Sequence, residues 1–279
     1  MRALDNEAAR HVGGLHMTFA GKSVFVFGGT SGINLGIARG FARAGAIVGV
    51  ASRNPEHVET ASSELSRLGG RVRGYVSDVR QPDAVQTTLE SFSAEFGPIG
   101  VVVSGAAGNF PALAKDISPN GFKAIMDIDL LGTFHVLRAA YPLIVKPGGC
   151  VINVSAPQAF IPMPQQAHVC AAKAGVDMLT RVLAIEWGPA GIRVNAVVPG
   201  PIAHTEGMKR LCPTAEAVAA VAASVPLQRL GTSEDVADVC LFLASDAARC
   251  GPRSIARFMS RSVARIARLS RTSRARRRG

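Results

Sequence analysis

No run of eighteen apolar residues occurs in this 279-residue chain, and the first residues lack the apolar core of a signal peptide, with Arg2, Asp5, Glu7, Arg10 and His11 scattered through them. These absences speak against a membrane-spanning helix and against export, so the expectation is a soluble, intracellular protein of the cytoplasm. Cysteine is scarce. Cys150, Cys170, Cys212, Cys240 and Cys250 are odd in number, widely spaced and free of any C-x-x-C pair, which argues against a zinc site or a disulfide framework and for reduced thiols. No metal is expected.

Acidic residues are missing from one stretch altogether. Of the 31 Lys and Arg, eleven are arginines between Arg249 and Gly279, where no Asp or Glu occurs, so the rest of the chain balances its 20 acidic side chains. The formal net charge of +11 therefore belongs to the tail, and the body is neutral. With 48% hydrophobic residues the chain can bury a sizeable core, and one large α/β domain is the simplest organisation.

The body alternates apolar runs of strand length with helical patterns. Residues 1–16 have no clear period and read as an N-terminal extension, with the domain occupying 17–248 and an atypical Arg-rich tail 249–279. Strands are expected at Ser23–Phe27, 46–51, 71–76, 99–103, Cys150–Val154 and 192–197. Helices are expected from the first glycine loop through Ala44, at 55–68, Pro82–Phe96 and 118–143, and around Lys173 to Trp187. Continuous apolar strands joined by helices imply a mainly parallel sheet covered on both faces, a doubly wound Rossmann-like fold. In such folds ligands bind beyond the carboxyl ends of the strands.

Gly28-Gly29-Thr30-Ser31-Gly32-Ile33 joins the first strand to a helix. Glycine there permits a sharp turn and lets backbone N–H groups approach a pyrophosphate at the positive helix end. A third glycine would be usual at Asn34; Gly36 follows two residues later. At the end of the second strand Ala51-Ser52-Arg53 offers no carboxylate for a ribose, and Arg53 places a guanidinium where a 2′-phosphate could be held. NADP(H) is favoured over NAD(H), the alternative being a solvated loop arginine.

Further segments fall in the order and spacing of one family. Ser77-Asp78-Val79 resembles an adenine-contacting Asp-Val, Gly105-Ala106-Ala107-Gly108 stands where Asn-Asn-Ala-Gly is common, and Pro199-Gly200-Pro201-Ile202 resembles the turn beside the nicotinamide carboxamide. The chain thus resembles the short-chain dehydrogenase/reductases, but the usual catalytic Asn, Ser and Tyr are replaced by Asp129, Ala156 and Val169. Only Lys173 remains. In the usual enzyme the ammonium lowers the tyrosine pKa so that the phenol can shuttle a proton; ketone reduction by that route is not available here.

The same departures, with Ala106-Ala107-Gly108-Asn109-Phe110, Met126-Asp127-Ile128-Asp129, His168 five residues before Lys173, Glu186-Trp187-Gly188-Pro189 and Thr205-Glu206-Gly207, resemble the 2,4-dienoyl-CoA reductase branch of that family, especially its peroxisomal type. The resemblance runs from about Phe19 to Ala248. It implies hydride transfer from NADPH to a conjugated acyl-CoA thioester, with the electrons collecting as an enolate that needs stabilisation and a proton. Asp129 and Lys173 would position a water that supplies this proton, Lys173 also holding the nicotinamide ribose. On the substrate side stand Asn109, Phe110, Ser155 and His168; the plainer alternatives are a turn with an aromatic anchor, a packing serine and a polar residue near the pocket. Asp129 as an ordinary helix carboxylate also stays open. Residues 204–227 would form a lid, and a dimer or tetramer of identical chains is implied. Two other functions remain: a dehydrogenase acting on another carbonyl or alcohol, and a dinucleotide-binding protein without turnover.

The resemblance stops near Ala248, where a final strand ending in Asp-Gly-Gly would follow. Arg253, Arg257, Arg261, Arg265 and Arg268 instead recur at helical spacing among apolar residues. Such a basic amphipathic helix could meet an anionic membrane or nucleic acid. A shifted reading frame in the coding sequence is the other account of so abrupt a boundary. If the tail is genuine, the sheet would lose its last strand.

Overall fold

The computed structural model describes residues 10–12, 15–249 and 255–257. Its central sheet contains β1 (Ser23–Phe27), β2 (Ile47–Ser52), β3 (Val72–Val76), β4 (Val101–Ser104), β5 (Cys150–Val154), β6 (Arg193–Val198) and β7 (Ile255–Arg257). The order is β3-β2-β1-β4-β5-β6-β7 and every pairing is parallel. β1, β4 and β5 are buried along their whole length, as continuous apolar strands between two helical layers must be. β3, at the edge, is only partly buried.

Helices α1 (Gly32–Arg43), α2 (Pro55–Ser66) and α9 (Ser233–Ala244) send Ile37, Phe41, Leu65 and Leu241 into one apolar layer. On the other face α3 (Pro82–Phe96), α5 (Gly132–Ala140) and α6 (Ala167–Trp187) contribute Leu89, Phe92, Val136 and Leu183. Strand order reverses between β1 and β4, so a crevice opens at their carboxyl ends. The rest of the molecule is arranged around that point.

Several expected boundaries change. The helix expected at 118–143 is broken into α4 (Pro119–Ile125), a π-helical turn Met126–Leu131, and α5. A π-turn widens the helix by one residue per turn and has no composition signature, but it often marks a functional site. α6 begins at Ala167, a turn and a half before Lys173. The segment after β6 folds as α7 (Glu206–Leu211) and α8 (Ala215–Ser224). It leaves and rejoins the body at a parallel bridge between Ile202 and Gly231.

Both ends also differ from expectation. Arg10–Val12 and Leu15–Met17 pair as a short antiparallel ladder, where no period was legible. The last strand is not lost: Ile255–Arg257 lies beside β6, with Ile255 opposite Ala196 and Arg257 opposite Val198. An open sheet edge presents unpaired N–H and C=O groups that even three extended residues can satisfy. Of the expected amphipathic helix, Arg257 is therefore in a strand, and Arg253, Arg261, Arg265 and Arg268 lie outside the described residues.

Candidate active site

A cleft of about 1080 Å³ runs across the strand ends. Its floor is the glycine loop. Gly28 has φ +73°, and a Cβ there would stand 3.0 Å from the backbone N and Cα of Ala106, so only glycine allows loop and β4 end to approach this closely. α1 follows with no acidic residue in its first turn and no side-chain cap from Ser31. By contrast α2 is capped by Asn54 and α9 by Thr232. The amides at the start of α1 are thus left to an external anion, which suits a dinucleotide pyrophosphate.

Gly28, Thr30, Ser31, Gly32, Ile33, Arg53, Asp78, Val79, Ala106, Ala107, Gly108, Asp129 and Lys173 all line this cleft. Pro199, Gly200 and Ile202 do not; they line a second, more apolar cavity of about 450 Å³ that shares Ile33, Asn109, Ser155 and Thr205 with the first. At the adenosine end Arg53 is exposed. The Asp78 carboxylate is turned to Arg80, with Nη2 at 2.5 Å from Oδ2 and the Arg80 N–H donating to Oδ1 at 3.0 Å. That guanidinium, with Arg53 adding to it, holds Asp78 below the usual carboxylate range. The hydroxyls of Ser52 and Ser77, buried at the same end, have no partner within the protein, as expected of groups that serve a polar ligand.

The reacting end is built by the π-turn. It aims the fully buried Asp129 across to α6, where Lys173 Nζ lies 3.3 Å from Oδ2. Asp129 Oδ1 accepts from the Gly108 N–H at 2.7 Å, and Lys173 donates to the Val154 carbonyl at 3.0 Å. Oδ2 has no hydrogen bond of good geometry inside the protein. A buried ion pair is tolerable only with further hydrogen bonds to both charges; Gly108 and Val154 provide one each. One acceptor position on the carboxylate and further donors on the ammonium remain for a ligand.

Val169 is buried with Ile125 and Ala172, flanked by Phe110, and forms an apolar wall beside Lys173. Neither tyrosine replaces the missing phenol. Tyr75 packs on Phe25 and Phe92, and Tyr141 stacks on Trp187.

The substrate-side residues divide. Asn109 and Ser155 line both cavities. The Ser155 hydroxyl, however, donates to buried Asp177 at 2.5 Å. Phe110 and His168 line neither; their rings stack at 4.3 Å. His168 is fully buried with no hydrogen bond of good geometry at either nitrogen. Burial pushes its pKa down, against opposing effects of a Phe110 backbone hydrogen bond and the Asp129 charge. Sequence reasoning missed Thr205 and Gln158 in the cleft and Met208 and Arg210 at the apolar cavity, where Arg210 donates to the Asn109 carbonyl at 2.8 Å. Thr205 stood inside a recognised phrase, and Met208 and Arg210 lie in the segment 204–227 expected to form a lid; Gln158 gave no local signal.

Among the described residues no three His, Cys, Asp or Glu side chains group as metal ligands, and no helix is long and apolar enough to cross a membrane.

The architecture agrees with the relatives found for this chain. The profile of the family described as "Enoyl-(Acyl carrier protein) reductase" matches residues 28–251. A Danio rerio protein named peroxisomal 2,4-dienoyl-CoA reductase is 41% identical over 225 residues, covering 80% of this chain and 75% of its own. A Bacillus subtilis protein named probable 2,4-dienoyl-CoA reductase is 40% identical over 230 residues, 81% of this chain and 91% of its own. Among solved structures, a short-chain type dehydrogenase/reductase from Mycobacterium marinum superposes with a TM-score of 0.82 at 31% identity, covering 88% of this chain and 97% of the other. With a nicotinamide-dinucleotide fold and this extent of identity, the chain belongs to the short-chain dehydrogenase/reductase family of oxidoreductases.

Proposed function

We propose that the protein is an NADPH-dependent reductase of 2,4-dienoyl-CoA or closely related enoyl thioesters. The observation that carries this reading is the buried Asp129–Lys173 pair, 3.3 Å apart, beside an apolar wall at Val169. A ketone reductase protonates the carbonyl oxygen and needs a phenol or its equivalent there. A conjugated thioester accepts hydride at carbon and passes the electron pair to the thioester oxygen, so the proton is needed later and at carbon.

When bound, NADPH supplies the hydride. Lys173 would hold the nicotinamide ribose and, as an ammonium, stabilise negative charge gathering on the thioester oxygen. Asp129 Oδ2 and Lys173 Nζ together would orient one water. As the enolate collapses, that water gives a proton to carbon, Lys173 neutralises the resulting hydroxide, and the lysine recovers its proton from solvent. Val169 and its apolar neighbours keep competing donors away. The apolar cavity beside Asn109, Met208 and Leu211 is suited to the acyl chain, and α7 and α8 cover it.

Arg53 supports NADPH over NADH, since β2 ends without a carboxylate to accept from a ribose hydroxyl. Equal or tighter binding of NADH would overturn that preference. Assembly into a homo-oligomer is supported by exposed apolar residues on two neighbouring helices. Met178, Val182 and Ile185 form one stripe of α6, and Leu131 and Phe134 project at the start of α5.

The direct test is loss of NADPH absorbance with 2,4-hexadienoyl-CoA. Turnover is expected. NADPH binding without oxidation by any thioester would mean a dinucleotide-binding protein, and turnover of simple ketones alone would mean a different dehydrogenase.

A further inference from the structure

Asn34, at the third position of α1, makes one contact that reaches out of its helix. Its Nδ2 donates to the Gly105 carbonyl at 2.7 Å, at the end of β4 where the strand order reverses. The two residues exclude each other's side chains. A Cβ on Gly105 would stand 2.2 Å from Asn34 Oδ1 and 2.5 Å from its Cγ, far inside van der Waals contact. The amide therefore occupies the space toward which a side chain at position 105 would point. It also lies 3.1 Å from where a Cβ on Gly28 would be, so one amide fills the gap among the glycine loop, the first turn of α1 and the β4 end. Its Oδ1 is buried with no partner. Such a group is retained at a cost in desolvation, offset here by the bond from its own Nδ2 and by the filled volume.

We propose that Asn34 and Gly105 form an interlocked pair that sets the depth of the glycine loop against β4, making Asn34 a positioning residue for dinucleotide binding. The amides of Thr30, Ser31, Gly32 and Ile33 would face the pyrophosphate from a turn whose height is fixed through the Gly105 carbonyl. Ala106, the next residue, forms the adjoining wall. Because the exclusion is mutual, the amide can be supplied from either side. With glycine at 34, an asparagine at 105 would direct its side chain into the same space.

This rests on the nicotinamide-cofactor part of the proposed function and not on the thioester, so its test is binding without substrate. NADPH dissociation constants are measured by fluorescence titration for Asn34→Gly, Gly105→Asn, the double variant and Asn34→Ala, each with a thermal melt of the cofactor-free protein. Each single change is expected to weaken NADPH about tenfold, the order expected for one lost or blocked hydrogen bond. The double variant should recover to within about threefold of the parent, a strong positive coupling. In steady state the NADPH KM should rise while the thioester KM stays unchanged, which a general loss of fold would not produce.

Asn34→Ala keeps the helix and removes only the amide, so it carries the test if Gly105→Asn does not fold. Unchanged affinity in Asn34→Ala, or a double variant no tighter than the singles combined, would overturn the interlock. A parent that binds NADPH but reduces no thioester would count against the proposed substrate and leave this result to be judged on binding alone.

Discussion

Asp129 and Lys173 are far apart in the chain and meet only through packing, so their roles separate in experiment. Asp129→Asn keeps the bond from Gly108 but removes the charge facing Lys173. It is expected to lower kcat by about 10²–10⁴-fold, the range for loss of a positioned proton-transfer group, with the NADPH dissociation constant little changed. Lys173→Met should lower kcat and weaken NADPH together. A Lys173→Met enzyme with normal NADPH affinity would remove lysine from cofactor binding.

His168 yields a prediction of another kind. Its pKa in the folded protein is depressed by burial, so below the ordinary histidine value of about 6.5 the unfolded chain binds the proton that the folded one resists. Its contribution is thus fully present above that value and is lost as pH falls through the folded pKa. Urea unfolding of the parent and of His168→Gln between neutral and mildly acidic pH should give a shallower decline for the variant. Parallel declines would show that the imidazole plays no part. That Asp129 and Lys173 belong together was legible from their places in the recognised phrases. The stacking of His168 on Phe110, away from either cavity, was not, because no local pattern states which face of a helix meets a loop.

Among the elements, the π-turn that holds Asp129 was the least legible. Met126–Leu131 carries no composition signature that separates a π-turn from an α-helix, and it packs closely on α6, with Leu130 against Gly175. The strands at Ser23–Phe27 and Cys150–Val154 were read at their observed bounds because fully buried parallel strands are unbroken apolar runs. Helices α1 and α9 approach closely. A Cβ on Gly36 would stand 2.3 Å from the Ser233 Cβ, and one on Gly40 would stand 2.8 Å from the Ala237 Cβ. Gly36→Ala should therefore destabilise the protein by about 1–3 kcal/mol through overpacking, despite alanine's better helix propensity. Denaturant unfolding measures it, and a neutral or stabilised variant would mean that α9 can move outward freely.

For the whole molecule, the question is what covers the exposed apolar stripe of α6. Tyr141 packs on Trp187 with ring centroids 4.9 Å apart, joining the ends of α5 and α6, and Met178, Val182 and Ile185 stay exposed as a stripe along α6. Ile185→Asp places a charge on that stripe and should shift the sedimenting species toward the monomer if identical chains associate there. An unchanged mass would direct attention to another surface. The seventh strand is also a property of the whole. Ile255–Arg257 gains its place from the open edge of β6, and nothing in its arginine-rich surroundings marks a strand.

By itself the sequence determined the alternation of strands and helices, the dinucleotide loop at Gly28–Ile33 and the loss of the phenol at Val169. Each is written in residues close together in the chain, where periodicity, glycine and a fixed spacing act directly on the backbone. Only the tertiary structure decided that Asp129 is fully buried against Lys173, that the Ser155 hydroxyl donates to Asp177, and that Asn34 fills the space beside Gly105. These depend on distances between segments far apart in the chain, which close packing across the strand ends fixes and no local pattern of residues states.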